Sequence, residues 1–131
     1  MATGTAISNY LEAQILDFVF RNASFPPPAA VYVALFTSAP GETGGGTEVS
    51  GGSYARKAVT FGAAANGQVT NSAEVDFGTA TADWGTVGHV AIFDAASSGN
   101  MLVYGALPAN KTINNGDTTT WAAGTLTVVL D

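Results

Sequence analysis

Downstream of Phe25-Pro26-Pro27-Pro28 the sequence carries no stretch with helical spacing, only short runs rich in Val, Ile, Thr and aromatic residues cut by Gly, Asn, Asp and Ser. That punctuation constrains the fold most. Short runs bounded by turn residues assemble as antiparallel sheets, and the lack of β–α alternation excludes a doubly wound nucleotide-binding fold. Residues 31–36 (VYVALF) are continuously apolar, the mark of a strand buried on both faces. Further strands are predicted over 55–61, 68–70, 74–77, 87–94, 101–107, 111–113, 118–121 and 125–130. Asn66-Gly67, Ser97-Ser98-Gly99-Asn100 and Asn114-Asn115-Gly116-Asp117 supply hairpin turns, the last predicted as type I′ with positive φ at both central residues. In the final strand Leu126, Val128 and Leu130 share one face and Thr125 and Thr127 the other, so it should be half buried. The expected fold is mainly β: an antiparallel β-sandwich, jelly-roll-like, with one N-terminal α-helix.

That helix lies ahead of the prolines. Over 9–21, Leu11, Ile15, Phe18 and Val19 recur at i, i+4, i+7 and i+8, one apolar face. Asn9 with Glu12 has capping-box spacing, with Ser8 the alternative cap, and the proline run should end the element. The apolar face is expected to pack on the β core of its own chain; the competing reading presents Phe18, Phe20 and Phe25 to another subunit. The Gly-rich stretch 37–53 is too long for an ordinary connection and reads as a flexible or functional loop. No Lys follows at P-loop spacing and no helix opens after it, so phosphate binding is not indicated.

Composition narrows function further. A chain of 131 residues is expected to form a single domain over 1–131, large enough to build a core without a staple. The absence of Cys removes thiol nucleophiles and Cys-ligated metals. Ten acids against four bases, a net charge of −6, argue against a surface that tracks nucleic-acid phosphates. No run is long and apolar enough to span a bilayer, and no secretory signal is readable. Only 11% of residues are charged, against a usual ~25%. A surface of Gly, Ala, Thr, Ser and Asn desolvates more readily against a protein partner than a charged one, which points to assembly.

Few residues could carry chemistry. His89 is the only histidine, and its apolar strand neighbours favour a ring satisfied within or at the edge of a sheet over an acid–base role. Glu74 and Asp76 alternate around Val75 and would face the same way; a glycosidase pair is the remote reading, two solvated carboxylates the ordinary one. Trp84 and Trp121 are weighed as sugar-stacking platforms against a place in the core. No catalytic residue, metal site or cofactor is predicted.

The segments NYLEAQILDFVFRN, VYVALFTSAP, TEVSGGSYARKAVTF, ADWGTVGHVAIFDA with the following SGNML, and AAGTLTVVLD carry a resemblance over nearly the whole chain. In that order and spacing they resemble a family of small tailed-bacteriophage virion proteins usually labelled tail fibre proteins. The resemblance implies a non-enzymatic structural protein on the phage particle and transfers no active-site residue. The expected role is a homotrimeric capsid cement protein that binds the major capsid protein on the outer capsid surface. Cement of that kind stabilises a shell because it binds only the assembled form. The alternative is a tail fibre or spike tip that contacts tail proteins and a host-surface glycan. In either case synthesis would be in the host bacterial cytoplasm. Candidate partner or receptor contacts are Phe25 in the proline-rich segment, Glu42 and Thr47 in the Gly-rich loop, and Trp84 and Trp121.

Overall fold

The computed structural model describes residues 6–130. In chain order these form β1 (Ala6–Ile7), α1 (Asn9–Phe20), β2 (Val31–Phe36), β3 (Lys57–Val59), β4 (Gln68–Thr70), β5 (Val75–Thr79), β6 (Gly85–Phe93), β7 (Met101–Ile113), β8 (Thr118–Trp121) and β9 (Thr127–Val129). A five-stranded sheet runs β1-β7-β6-β2-β3, and two-stranded ribbons pair β4 with β9 and β5 with β8. Every ladder is antiparallel. The mainly β, antiparallel expectation with one N-terminal helix holds, and the strands divide five, two and two.

The large sheet is built on β2, whose Val33, Ala34, Leu35 and Phe36 are all buried, as a continuous apolar run requires. Val33 and Leu35 face one side and join Val90, Ile92, Val75, Phe77 and Leu126 in the main core, so the ribbons cover that face. Ala34 and Phe36 face the other side with Ala91, Phe93 and Met101. Strands β6 and β7 form the longest hairpin, from Phe93↔Met101 to Gly85↔Ile113. The two strands predicted at 101–107 and 111–113 are therefore one. Between Val87↔Lys111 and His89↔Ala106 the register shifts, and the bulge takes up Pro108, which has no amide proton to give the ladder.

Turn chemistry holds in part. Asn66 and Gly67 have φ of 54° and 74°, the signs of a type I′ turn, and Ala65 and Gln68 exchange both backbone hydrogen bonds across it. Asn115-Gly116 departs from the type I′ expectation, because only Gly116 has positive φ, 94°. That turn is instead held by Asp117, whose Oδ2 accepts the Asn114 amide at 2.8 Å, and by Asp83, whose Oδ1 accepts the Asn115 amide at 2.8 Å. The final strand is shorter than predicted. Leu126 is fully buried ahead of it, held by Asn71 Oδ1, whereas Leu130 beyond it is 56% exposed.

The Gly-rich stretch is folded, contrary to the flexible reading. Thr37 N–H donates to Thr47 O at 2.9 Å, Val49 N–H to Leu35 O at 2.9 Å and Gly45 N–H to Pro40 O at 2.7 Å, doubling the segment back beside β2. Gly46 is required there, since a Cβ on it would lie 2.5 Å from the carbonyl oxygens of Ser38 and Ala39.

Candidate interaction surface

Helix α1 begins where Ser8 caps it, not Asn9. The Ser8 Oγ accepts from Leu11 N–H at 3.2 Å and donates to Met101 O at 2.5 Å, tying the first turn to β7. Asn9 N–H adds a bond to Glu42 O at 3.1 Å. The helix ends at Phe20, with Arg21 as C-cap and Asn22 at φ 56°, and Ala23 N–H returns to Asp17 O. Left-handed Asn22, not the prolines, stops it.

Only the N-terminal half of α1 packs on the core. Tyr10 and Leu11 touch the main cluster, and Ile15 reaches the wall of a groove of about 300 Å³. The opposite wall comes from Val69 of β4 and Val128 of β9, which pair across their ribbon, and the floor includes Val103 of β7. Leu130 closes one end, brought there by its amide bond to Gly67 O at 2.8 Å. A smaller hollow lined by Ile7, Glu12, Ile15, Leu16 and Leu130 continues it.

Beyond Ile15 the helix leaves the core. Leu16 is 55% exposed, Phe18 54%, Val19 59% and Phe20 77%. The expected intrachain packing of the apolar face is thus corrected: Leu11 and Ile15 meet the fold, Phe18 and Val19 do not. Aromatic side chains bury about 150–250 Å² each, so Phe18 and Phe20 alone leave roughly 200–330 Å² of mostly apolar surface open. Covering that area returns about 5–8 kcal/mol, within the ~4–15 kcal/mol that association costs. Phe18 projects on the Leu11 and Ile15 side of the helix and Phe20, with Leu16, on the opposite side, so the exposed apolar surface is divided between two faces.

The five residues singled out in the sequence do not converge. Trp84 is buried, and its Nε1–H donates to Gly52 O at 2.9 Å. Trp121 is half-buried, edge-on to Phe77 at 5.6 Å. Tyr54, stacked on Phe77 and edge-on to Trp84, links them into one aromatic cluster. Trp84 therefore fills the fold, while Trp121 packs edge-on against Phe77 and keeps part of its ring exposed. Thr47 serves the loop's own clip, its amide bound by Ser38 Oγ at 2.8 Å. Glu42 is exposed beside an open hollow of about 350 Å³ shared with Tyr10 and Asn100. Phe25 is half-buried between exposed neighbours.

Glu74 and Asp76 are exposed, and Asp76 Oδ1 accepts the Gly78 amide. His89 is half-buried, and its Nδ1 is buried without a hydrogen-bond partner, so the expected satisfied ring is satisfied at most at its other nitrogen. Among the described residues no three of His, Asp and Glu stand together as a metal site.

A polar cluster was not foreseen. Arg56 makes a forked pair with Glu48, Nε to Oε2 at 2.9 Å and Nη2 to Oε1 at 2.8 Å. Its Nη1 donates to Ala95 O and Ser98 O at the β6–β7 hairpin, and its Cζ sits 3.7 Å over the Phe93 ring. Tyr54 Oη donates to Glu48 Oε2 at 2.7 Å and accepts from Leu35 N–H at 2.9 Å. Burial pushes the Glu48 carboxyl up, but hydrogen bonds from Arg56 and Tyr54 and the guanidinium charge outweigh it, leaving a net lowering. Burial, reinforced by the Glu48 carboxylate, raises the Tyr54 phenol strongly. The cluster is a brace joining the Gly-rich segment, β2 and the hairpin. An open hollow of about 370 Å³ lies against it, lined by Glu48, Tyr54, Arg56 and Ser97 among others.

A family model described as Podophage GP4 fiber I protein gp80 matches residues 6–129. No curated protein matches the chain.

Proposed function

The chain belongs to the family described as Podophage GP4 fiber I protein gp80, and on that premise we propose that it is a non-enzymatic, homotrimeric module of a phage fibre, held to neighbouring tail proteins by surface contacts. It is a structural component of a phage particle; the fibre placement and the trimer are the finer reading. The match over residues 6–129 carries that reading, because it spans the core strands, the brace and α1 together. The exposed apolar end of α1 and the low charge of the chain support it, since both lower the cost of desolvating a protein contact.

Capsid cement, the role expected from the sequence, is the competing placement. It ranks second because the family's description names a fibre. Gold-labelled antibody against the native chain, imaged on intact particles, separates the two. Label on the fibres supports the proposal, and label spread over the head transfers the chain to the capsid.

A further inference from the structure

The hollows of the described surface differ in what they leave uncommitted. The groove beside α1 is walled mainly by apolar side chains and has little with which to orient a ligand. The hollow against the brace finds Glu48, Tyr54 and Arg56 already bonded to one another. The third, of about 350 Å³, lies where the first turn of α1, the Gly-rich segment and the β6–β7 hairpin meet, over a floor that includes Phe93 and Met101. Its walls are tied together: Asn9 N–H donates to Glu42 O at 3.1 Å, and Asp94 accepts both Asn100 N–H at 2.7 Å and Asn100 Nδ2–H at 3.0 Å. Yet the side chains of Asn9, Tyr10, Glu42 and Thr43, which line it, make no hydrogen bond to another described residue, and Asn100 keeps its Oδ1 free. We propose that this hollow binds one neutral sugar ring, as at the end of a glycan.

Charge removes the other ligand classes. None of Arg21, Arg56, Lys57 and Lys111, the four bases of the chain, lines the hollow, and Glu42 does, so a phosphate, sulfate or carboxylate would be repelled. Glu42 is the one acid on the wall, too few for a hard cation, which takes several oxygen ligands. What remains is an uncharged ligand that both gives and takes hydrogen bonds. The Asn9 amide and the Thr43 and Tyr10 hydroxyls do both, while the Glu42 carboxylate and Asn100 Oδ1 accept. Sugar hydroxyls meet that mixture, and the C–H face of the ring matches the Phe93 and Met101 floor. An ammonium only donates; it would use Glu42 and leave the Asn9 Nδ2–H donors and the apolar floor unmatched. The volume stands near the lower end of small-molecule sites, about 300–1,000 Å³, which suits a single ring. Because the walls are already held in place, little ordering is left to oppose binding. The site adds a ligand to the structural role and needs only the folded chain, so its failure would leave the placement in the particle standing.

The test titrates full-length, nitrogen-15-labelled protein with the methyl glycosides of glucose, galactose, mannose and rhamnose, and with propylammonium chloride, following backbone amide shifts by NMR. At least one glycoside should give saturable shifts gathered at Asn9, Glu42, Thr43, Gly44 and Asn100. Glu42→Ala and Asn9→Ala, both at exposed positions whose side chains hold nothing in the fold, should each weaken that binding about tenfold. The same spectra verify that the variants stay folded. Glu74→Gln, exposed and outside the hollow, should bind as the wild type does. No saturable shift with any of the glycosides overturns the proposal, as do saturable shifts that gather elsewhere. Variants at Glu42 and Asn9 that bind as tightly as the wild type overturn it too. Propylammonium bound more tightly than every glycoside assigns the hollow to cations and overturns it equally.

Discussion

Arg56 is the residue on which the most separate parts of the fold depend. Its side chain is 9% exposed against 24% for Glu48, so removing it strands a largely desolvated carboxylate. Breaking a buried pair in this way costs about 3–5 kcal/mol, and the partial exposure of Glu48 places Arg56→Ala near the lower end, about 3 kcal/mol by urea denaturation. Because the folded Glu48 titrates below its unfolded value, its contribution is complete above the ordinary glutamate pKa of roughly 4.3 and fades as pH falls through the folded value. Tyr54 has the opposite sign: its raised pKa favours the neutral phenol in the fold, so stability falls as pH rises past roughly 10, where the unfolded chain ionises. Denaturation midpoints measured against pH should therefore drop at both ends, and Tyr54→Phe should flatten the alkaline drop. Glycine positions divide just as sharply. Gly46→Ala meets backbone oxygen at 2.5 Å, whereas Gly41→Ala meets nothing within 4 Å and bears only its positive φ. The first should cost several-fold more stability than the second, for which about 1 kcal/mol is expected. The brace was not legible in the sequence, because Glu48 lies inside a Gly-rich stretch that composition reads as loop. The Tyr54-Ala55-Arg56 segment carried the family resemblance without revealing its use.

Elements were legible wherever a local rule decides them. The apolar run of β2, the strands at 68–70 and 118–121 and the Asn66-Gly67 turn follow from side-chain pattern and φ preference alone. Pairing was less legible: β4 follows a tight turn yet takes its ladder partner from β9, nearly sixty residues on, a choice set by the core and not by neighbours in sequence. The two-residue β1 is too short to have a period at all. Helix α1 shows the limit most clearly, since spacing reveals an apolar face but not what covers it. The helix should be sensitive at its start, where Ser8 is buried and satisfies both the Leu11 amide and the Met101 carbonyl. Ser8→Ala loses the cap and the hydroxyl's bond to that carbonyl, at about 1–2 kcal/mol. Leu16→Ala, at an exposed position, should leave monomer stability within about 0.5 kcal/mol, as equilibrium unfolding at low protein concentration would show.

At the scale of the molecule, a dense β core supports a surface with little charge and a helix end whose Leu16, Phe18, Val19 and Phe20 are exposed, and its strongest polar cluster braces three segments of the fold. Such a surface is suited to neighbours. The central claim, that this chain is a structural part of the phage particle, is tested most directly by its copy number in purified mature particles, counted by quantitative mass spectrometry against the major capsid protein. The account predicts a fixed number per particle, divisible by three and retained through density-gradient purification. A chain abundant in infected cells but missing from those particles would contradict it.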